Sequence, residues 1–235
     1  MLLILKKTAS IFVFLVFIIT LLYIGNGPGA VPVANGVSTS PQTQSFSVSL
    51  AVMSEITITA PSNVTMTPAI YGITGNLGAP ASGSTSFTVK TNNATGFNLT
   101  VHSSTNPALS TGSYYFNDYT TLGAVPDFSW QSPAASSATF GFSVGASGVN
   151  GSDAVLDFIA MSGLGLCGVM PGDPNDTEHC FRGFEGTTPI TIVNRSTNTG
   201  SAGVTETLAF RAESNAAFLV QDTYAATITV TAATN

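Results

Sequence analysis

The segment Asp222-Thr223-Tyr224-Ala225-Ala226-Thr227-Ile228-Thr229-Val230-Thr231 decides the fold, because it alternates without a break. Tyr224, Ala226, Ile228 and Val230 fall on one face, and Thr223, Ala225, Thr227, Thr229 and Thr231 on the other. Successive side chains of an extended strand point to opposite faces, so the segment reads as a strand with one buried face and one hydroxyl-rich, solvated face. The same period recurs upstream at Phe97, Leu99 and Val101, at Phe87 and Val89, at Ile56 and Ile58, and at Phe46, Val48, Leu50 and Val52. Between Phe87–Val89 and Phe97–Val101 lies Thr91-Asn92-Asn93-Ala94-Thr95-Gly96. Its Asn and Gly residues tolerate the left-handed backbone of a hairpin loop, which makes the flanking strands expected antiparallel neighbours. Further strand-like runs occupy Thr139–Val144, Ala154–Met161, Pro189–Val193 and Val204–Arg211. About ten short strands spaced by turn signals define an all-β chain, an immunoglobulin-like antiparallel β-sandwich.

The first residues belong to a different regime. Lys6 and Lys7 precede an apolar run from Ile11 to Ile24 broken only by Thr20. From Thr8 to Ile24 there are 17 residues, which as a helix span about 25 Å, short of the roughly 30 Å hydrocarbon core of a bilayer. A positive flank, a short apolar block and then small residues are the layout of a secretory signal peptide. Residues 1–36 are therefore expected to form a signal helix, with an uncleaved anchor as the alternative, and membrane contact is expected only through that segment. Residues 37–235 are expected to form a single sandwich domain with a loop-rich insertion over about 102–185. The expected location is secreted or on the cell surface.

Composition narrows the partners. Only 8% of the chain is charged, against about a quarter in a usual globular domain. Beyond the signal, Lys90, Arg182, Arg195 and Arg211 face twelve acids, a net of −8. Nucleic acid is excluded as a natural partner, because phosphate neutralisation needs clustered Lys and Arg.

Cys167 and Cys180 are the only cysteines, and an even pair in an exported chain reads as a disulfide. The loop that it would close carries Asp173, Asn175, Asp176 and Glu178. That density of oxygen donors suits an extracellular Ca²⁺, although the spacing is not that of an EF-hand, and a solvated acidic turn is the competing reading. Otherwise no cofactor is expected. His102 and His179 are the whole histidine inventory, and no HExxH, GxSxG or SxxK pattern surrounds them, so no enzyme of the common hydrolase types is expected. Asn63, Asn93, Asn98, Asn150, Asn175 and Asn194 each open an Asn-x-Ser/Thr triplet and are candidate glycosylation sites. The central aromatics Tyr114, Tyr119 and Trp130 are candidates for stacking on a glycan, against a core or lid role.

The loop and strand from Thr91 to Val101, together with the closing strand Asp222–Val230, resemble segments of prokaryotic secreted β-sandwich surface proteins, the WxL-like and spore-coat-U-like groups. The resemblance covers roughly 20 residues, and no WxL triplet is present, since Gln131 and Ser132 follow Trp130. What it implies is a surface, pilus or coat component of immunoglobulin-like fold.

A Gly/Pro/Ser-rich stretch from Gly25 to Gln44 joins the signal to the alternating segment Ser45–Met53. Two readings of that segment stand: the first strand of its own sandwich, or a strand donated through Phe46, Val48, Leu50 and Val52 to a neighbouring subunit. The function expected is accordingly a non-catalytic structural or adhesive surface subunit, partnered by further copies or a cell-surface component. The alternative is a secreted carbohydrate-binding module.

Overall fold

The computed structural model describes residues 41, 43–76, 79–122, 126–147, 158, 167 and 179–235. The expected signal helix and the acidic loop lie outside these residues, as does the strand expected at Ala154–Met161 apart from the buried Phe158. The chain divides into two units, one ending at Ala51 and the other beginning at Val52.

Among the described residues of the second unit, eight strands form two sheets, an all-β sandwich. They are β1 (Ile56–Ile58), β2 (Ala81–Thr91), β3 (Phe97–Ser103), β4 (Asn117–Asp118), β5 (Ser137–Ser147), β6 (Ile190–Arg195), β7 (Val204–Asn215) and β8 (Ile228–Thr234). One sheet runs β1-β2-β7-β5-β4, and the other runs β6-β3-β8. All pairings are antiparallel except the short β4–β5 contact. Period-two burial sets the registers: Val204, Glu206, Leu208, Phe210, Ala212 and Ser214 of β7 all turn inward and are buried. Phe87, Val89, Phe97, Leu99 and Val101 meet them with almost no exposure.

One expectation is corrected here. The Thr91–Gly96 loop is not a hairpin, because β2 pairs with β1 and β7 whereas β3 pairs with β6 and β8. The turn itself is real: the Gly96 N–H donates to the Asn93 carbonyl, and Gly96 has φ +82°. It carries the chain from one sheet to the other. Phe87 and Phe97 therefore both enter the core from separate sheets instead of sitting side by side, which is how each sheet gains a buried face.

The outer face of β5 is covered as well. Thr139 and Ser143 are buried although they point away from the core. The cover is built on Tyr119, Trp130, Phe181 and Arg182. A methyl group on Gly141 would meet Tyr119 Cβ at 2.8 Å and the Arg182 carbonyl at 2.9 Å. The loop-rich insertion thus packs on β5, where small residues leave it room.

Candidate functional site

Two features of the molecule leave apolar surface without a partner. The first is the segment before β1. Its described residues, 41 and 43–55, hold no strand. Phe46, Val48, Leu50 and Val52 are 80–90% exposed, so the described residues do not supply the half-burial expected of the first alternating run. The period-two pattern is intact, but no described strand pairs with it. Where the segment approaches β1, the Asn92 side chain receives it. Asn92 Nδ2 donates to the Met53 carbonyl at 2.9 Å, and the Glu55 N–H donates to Asn92 Oδ1 at 2.7 Å. A carbonyl at one residue and an N–H two residues on face the same side in an extended chain, and through these two bonds the Asn92 side chain receives Met53–Glu55 just beyond the Ile56–Thr91 pair that opens β1.

The second feature is a groove of about 1220 Å³ at the side of the sandwich. At its base lie Phe140, Leu208 and Phe210 of the five-stranded sheet, and Ile228 and Val230 of β8 line it from the other sheet. Much of the remaining lining comes from residues 61–66 and 68–73 and from residues 218–226. The stretch 61–73 is held by a two-bond bridge from Thr67 to Ser82 and by Leu219 N–H donating to the Gly72 carbonyl at 2.8 Å. Gly72 is obligatory there, since a Cβ would fall 2.1 Å from the Leu219 carbonyl oxygen. Tyr71, Ile73 and Phe218 on the lining are 57%, 73% and 70% exposed. Among the lining residues only Asp222 carries a charge.

β8 is an edge strand of its sheet. Ala225 exchanges both backbone hydrogen bonds with Ser110, and the Thr227 carbonyl accepts from Ser104 N–H. The odd-numbered residues therefore turn their polar groups toward β3 and its continuation. By strand alternation Ala226, Ile228, Val230 and Ala232 turn theirs to the opposite side. Among the described residues nothing pairs with those groups. Ile228, Val230 and Ala232 are only partly buried, although they point toward the core.

The aromatic candidates behave differently. Tyr119 and Trp130 are brought together, stacked with centroids 4.5 Å apart. Phe181 meets the indole edge-on at 5.2 Å, and the Arg211 guanidinium lies 5.2 Å from its ring centre. Trp130 Nε1 donates to Glu213 at 2.7 Å. Tyr119 is buried, and its hydroxyl donates to Asp127 and accepts from Gln131 N–H. Burial pushes the Tyr119 phenol well above its ordinary value of 10.0, and Asp127 adds to the rise. Tyr114 is not part of this stack; it is partly exposed and lies near Tyr224. The three residues named from sequence do not share one platform.

Cys167 and Cys180 are joined as a disulfide, both buried, with Cα atoms 5.5 Å apart. His179 stacks on Phe128 at 4.3 Å. Asp173, Asn175, Asp176 and Glu178 lie outside the described residues, as do Asn150 and Asn175 of the glycosylation triplets. Asn63 and Asn194 are exposed. Asn93 spends its side chain within the Thr91–Gly96 turn and on Asn235, and Asn98 donates to Asn235.

Sequence reading found the exposed segment and missed the groove. Its lining at residues 61–73 is aperiodic, and Val64, Met66 and Ile70 sit half-buried there with no strand to mark them. The available signal was an apolar stretch in a Pro- and Gly-punctuated region that matched no period. In comparisons with known proteins, no protein-family model, curated protein or solved structure matches this chain.

Proposed function

We propose that this chain is a non-catalytic, exported structural subunit of a cell surface, which assembles by donating residues 45–53 to another copy. The observation that carries the reading is the exposure of Phe46, Val48, Leu50 and Val52 on one face of an uncharged alternating segment. An isolated strand of that pattern gains nothing in water, whereas pairing with an open sheet edge satisfies its backbone and buries one face. The N-terminal segment with its Lys6-Lys7 flank supplies the route out of the cytoplasm. Low charge and abundant Ser and Thr suit a surface made of exposed strands.

The test is light scattering on the size-fractionated exported protein across a concentration range, beside a variant lacking Pro41–Met53. Larger species that grow with concentration and vanish in the deletion are expected. A monomer at every concentration, or assembly that survives the deletion, would overturn the reading.

A further inference from the structure

The geometry points to the groove beside β8 as the acceptor for residues 45–53 of a second copy, with the incoming strand antiparallel to β8. The inference rests on the strand-donation reading above and assigns that reading its receiving site and polarity.

Three observations converge on this occupant. The first is length. Phe46 to Val52 covers seven residues, as does the edge from Ala226 to Ala232. The second is chemistry: the segment Pro41–Met53 carries no charge, and the groove lining carries one, on Asp222. The third is the backbone. β1 lies close to β8, yet no described residue bonds the N–H and C=O groups that Ala226, Ile228 and Val230 offer where they line the groove, and such free groups are what an added strand pairs with. Once so paired, its alternate side chains turn toward Leu208 and Phe210.

Polarity follows from where the chain enters β1. Met53 and Glu55 are fixed by Asn92, beside the Thr91–Gly96 turn. β8 runs toward that same end, since Thr234 pairs with Phe97. For residues 45–53 to reach the groove of their own domain, the chain would have to reverse within Ser54 and Glu55, against both Asn92 hydrogen bonds. In a second copy, an antiparallel donor places its own domain at the Tyr224 end of the acceptor. That leaves the acceptor's Asn92 end clear to donate in turn. Each copy then gives at one end and receives at the other, a head-to-tail contact that extends beyond a pair, as a filament unless its rotation closes a ring. A parallel donor would bring two Asn92 ends together and stop at a pair.

The test uses singly substituted full-length chains mixed in pairs and oxidised, so that any new disulfide is between copies. Ser47 and Ala51 alternate with the apolar residues of the donor, and Thr227, just before β8, and Thr231, within it, do so along the acceptor edge. Ala51→Cys is expected to link to Thr227→Cys, and Ser47→Cys to Thr231→Cys, with the crossed pairs linking at least about tenfold less. Preferential linking of the crossed pairs would overturn the antiparallel assignment. If no pair links although deleting Pro41–Met53 abolishes assembly, the groove is not the acceptor and strand donation stands without it. If assembly survives the deletion, both fail. A co-purified apolar small molecule filling the groove of a monomer, detected by mass spectrometry of an organic extract, would likewise overturn the inference.

Discussion

Replacing Leu50 by Ala should uncouple assembly from folding. Leu50 is 90% exposed in the single chain, so the substitution removes no contact there, and surface changes of this kind alter stability by less than about 0.5 kcal/mol. In the proposed assembly the same side chain would be buried. Burying a Leu, Val or Phe is worth about 1.5–3 kcal/mol, and truncation to Ala forfeits about 2 kcal/mol of it. At a factor of ten for every 1.4 kcal/mol, each subunit contact weakens by about 30-fold. The four apolar side chains together supply roughly 6–12 kcal/mol, comparable to the ~4–15 kcal/mol that association costs in lost freedom, so a single truncation is felt. Leu50→Asp adds the desolvation of a carboxylate and should abolish assembly at concentrations where the parent is fully assembled. Sedimentation velocity across a dilution series measures the shift, and thermal unfolding of the monomer supplies the control. Unchanged assembly with Leu50→Ala, or a melting temperature lowered by several degrees, would refute the reasoning.

Other expectations concern the scaffold. Gly141→Ala should destabilise by about 1–3 kcal/mol in chemical denaturation, because its methyl group would collide with Tyr119 Cβ and the Arg182 carbonyl. Replacing Cys167 and Cys180 together by Ser should cost about 2–4 kcal/mol, read as a lower denaturation midpoint with the sandwich circular-dichroism signature retained. The Tyr119 phenol is raised above its ordinary 10.0 mainly by burial. Its contribution is thus complete below pH 10 and is lost as pH climbs through the folded-state value. Tyr119→Phe should flatten that alkaline limb in a pH series of thermal melts, and it should lower neutral-pH stability by about 1 kcal/mol through the lost hydroxyl bonds. An alkaline limb unchanged in the variant would assign it to another group.

Much of the sandwich was legible because alternation reports directly on faces. The strand read from Tyr224 to Val230 is found shifted along the chain, as Ile228–Thr234, with Ile228 and Val230 on the core side. Phe97, Leu99 and Val101 are buried as read, and the run read at Val204–Arg211 lies within the strand Val204–Asn215. The pairing of Cys167 with Cys180 was equally legible, there being no other cysteine. Adjacency was not, because period two states which way a side chain points and is silent on which strand lies beside it. Phe87–Val89 and Phe97–Val101 looked like the arms of a hairpin and belong to opposite sheets. The groove was hidden for a related reason. Its walls come from tertiary approaches, such as Gly72 against the Leu219 carbonyl, and those approaches leave no periodic trace. The segment Phe46–Val52 shows the converse: its pattern is that of a strand, and no described strand of this chain pairs with it.

Hydrogen–deuterium exchange of the full chain, run below and above the concentration at which larger species form, tests the central claim most directly. The account predicts fast exchange in both the 45–52 segment and the even-numbered amides of β8 at low concentration, with both slowed at least about tenfold together on assembly. Assembly that proceeds while both regions exchange as fast as in the monomer would contradict it.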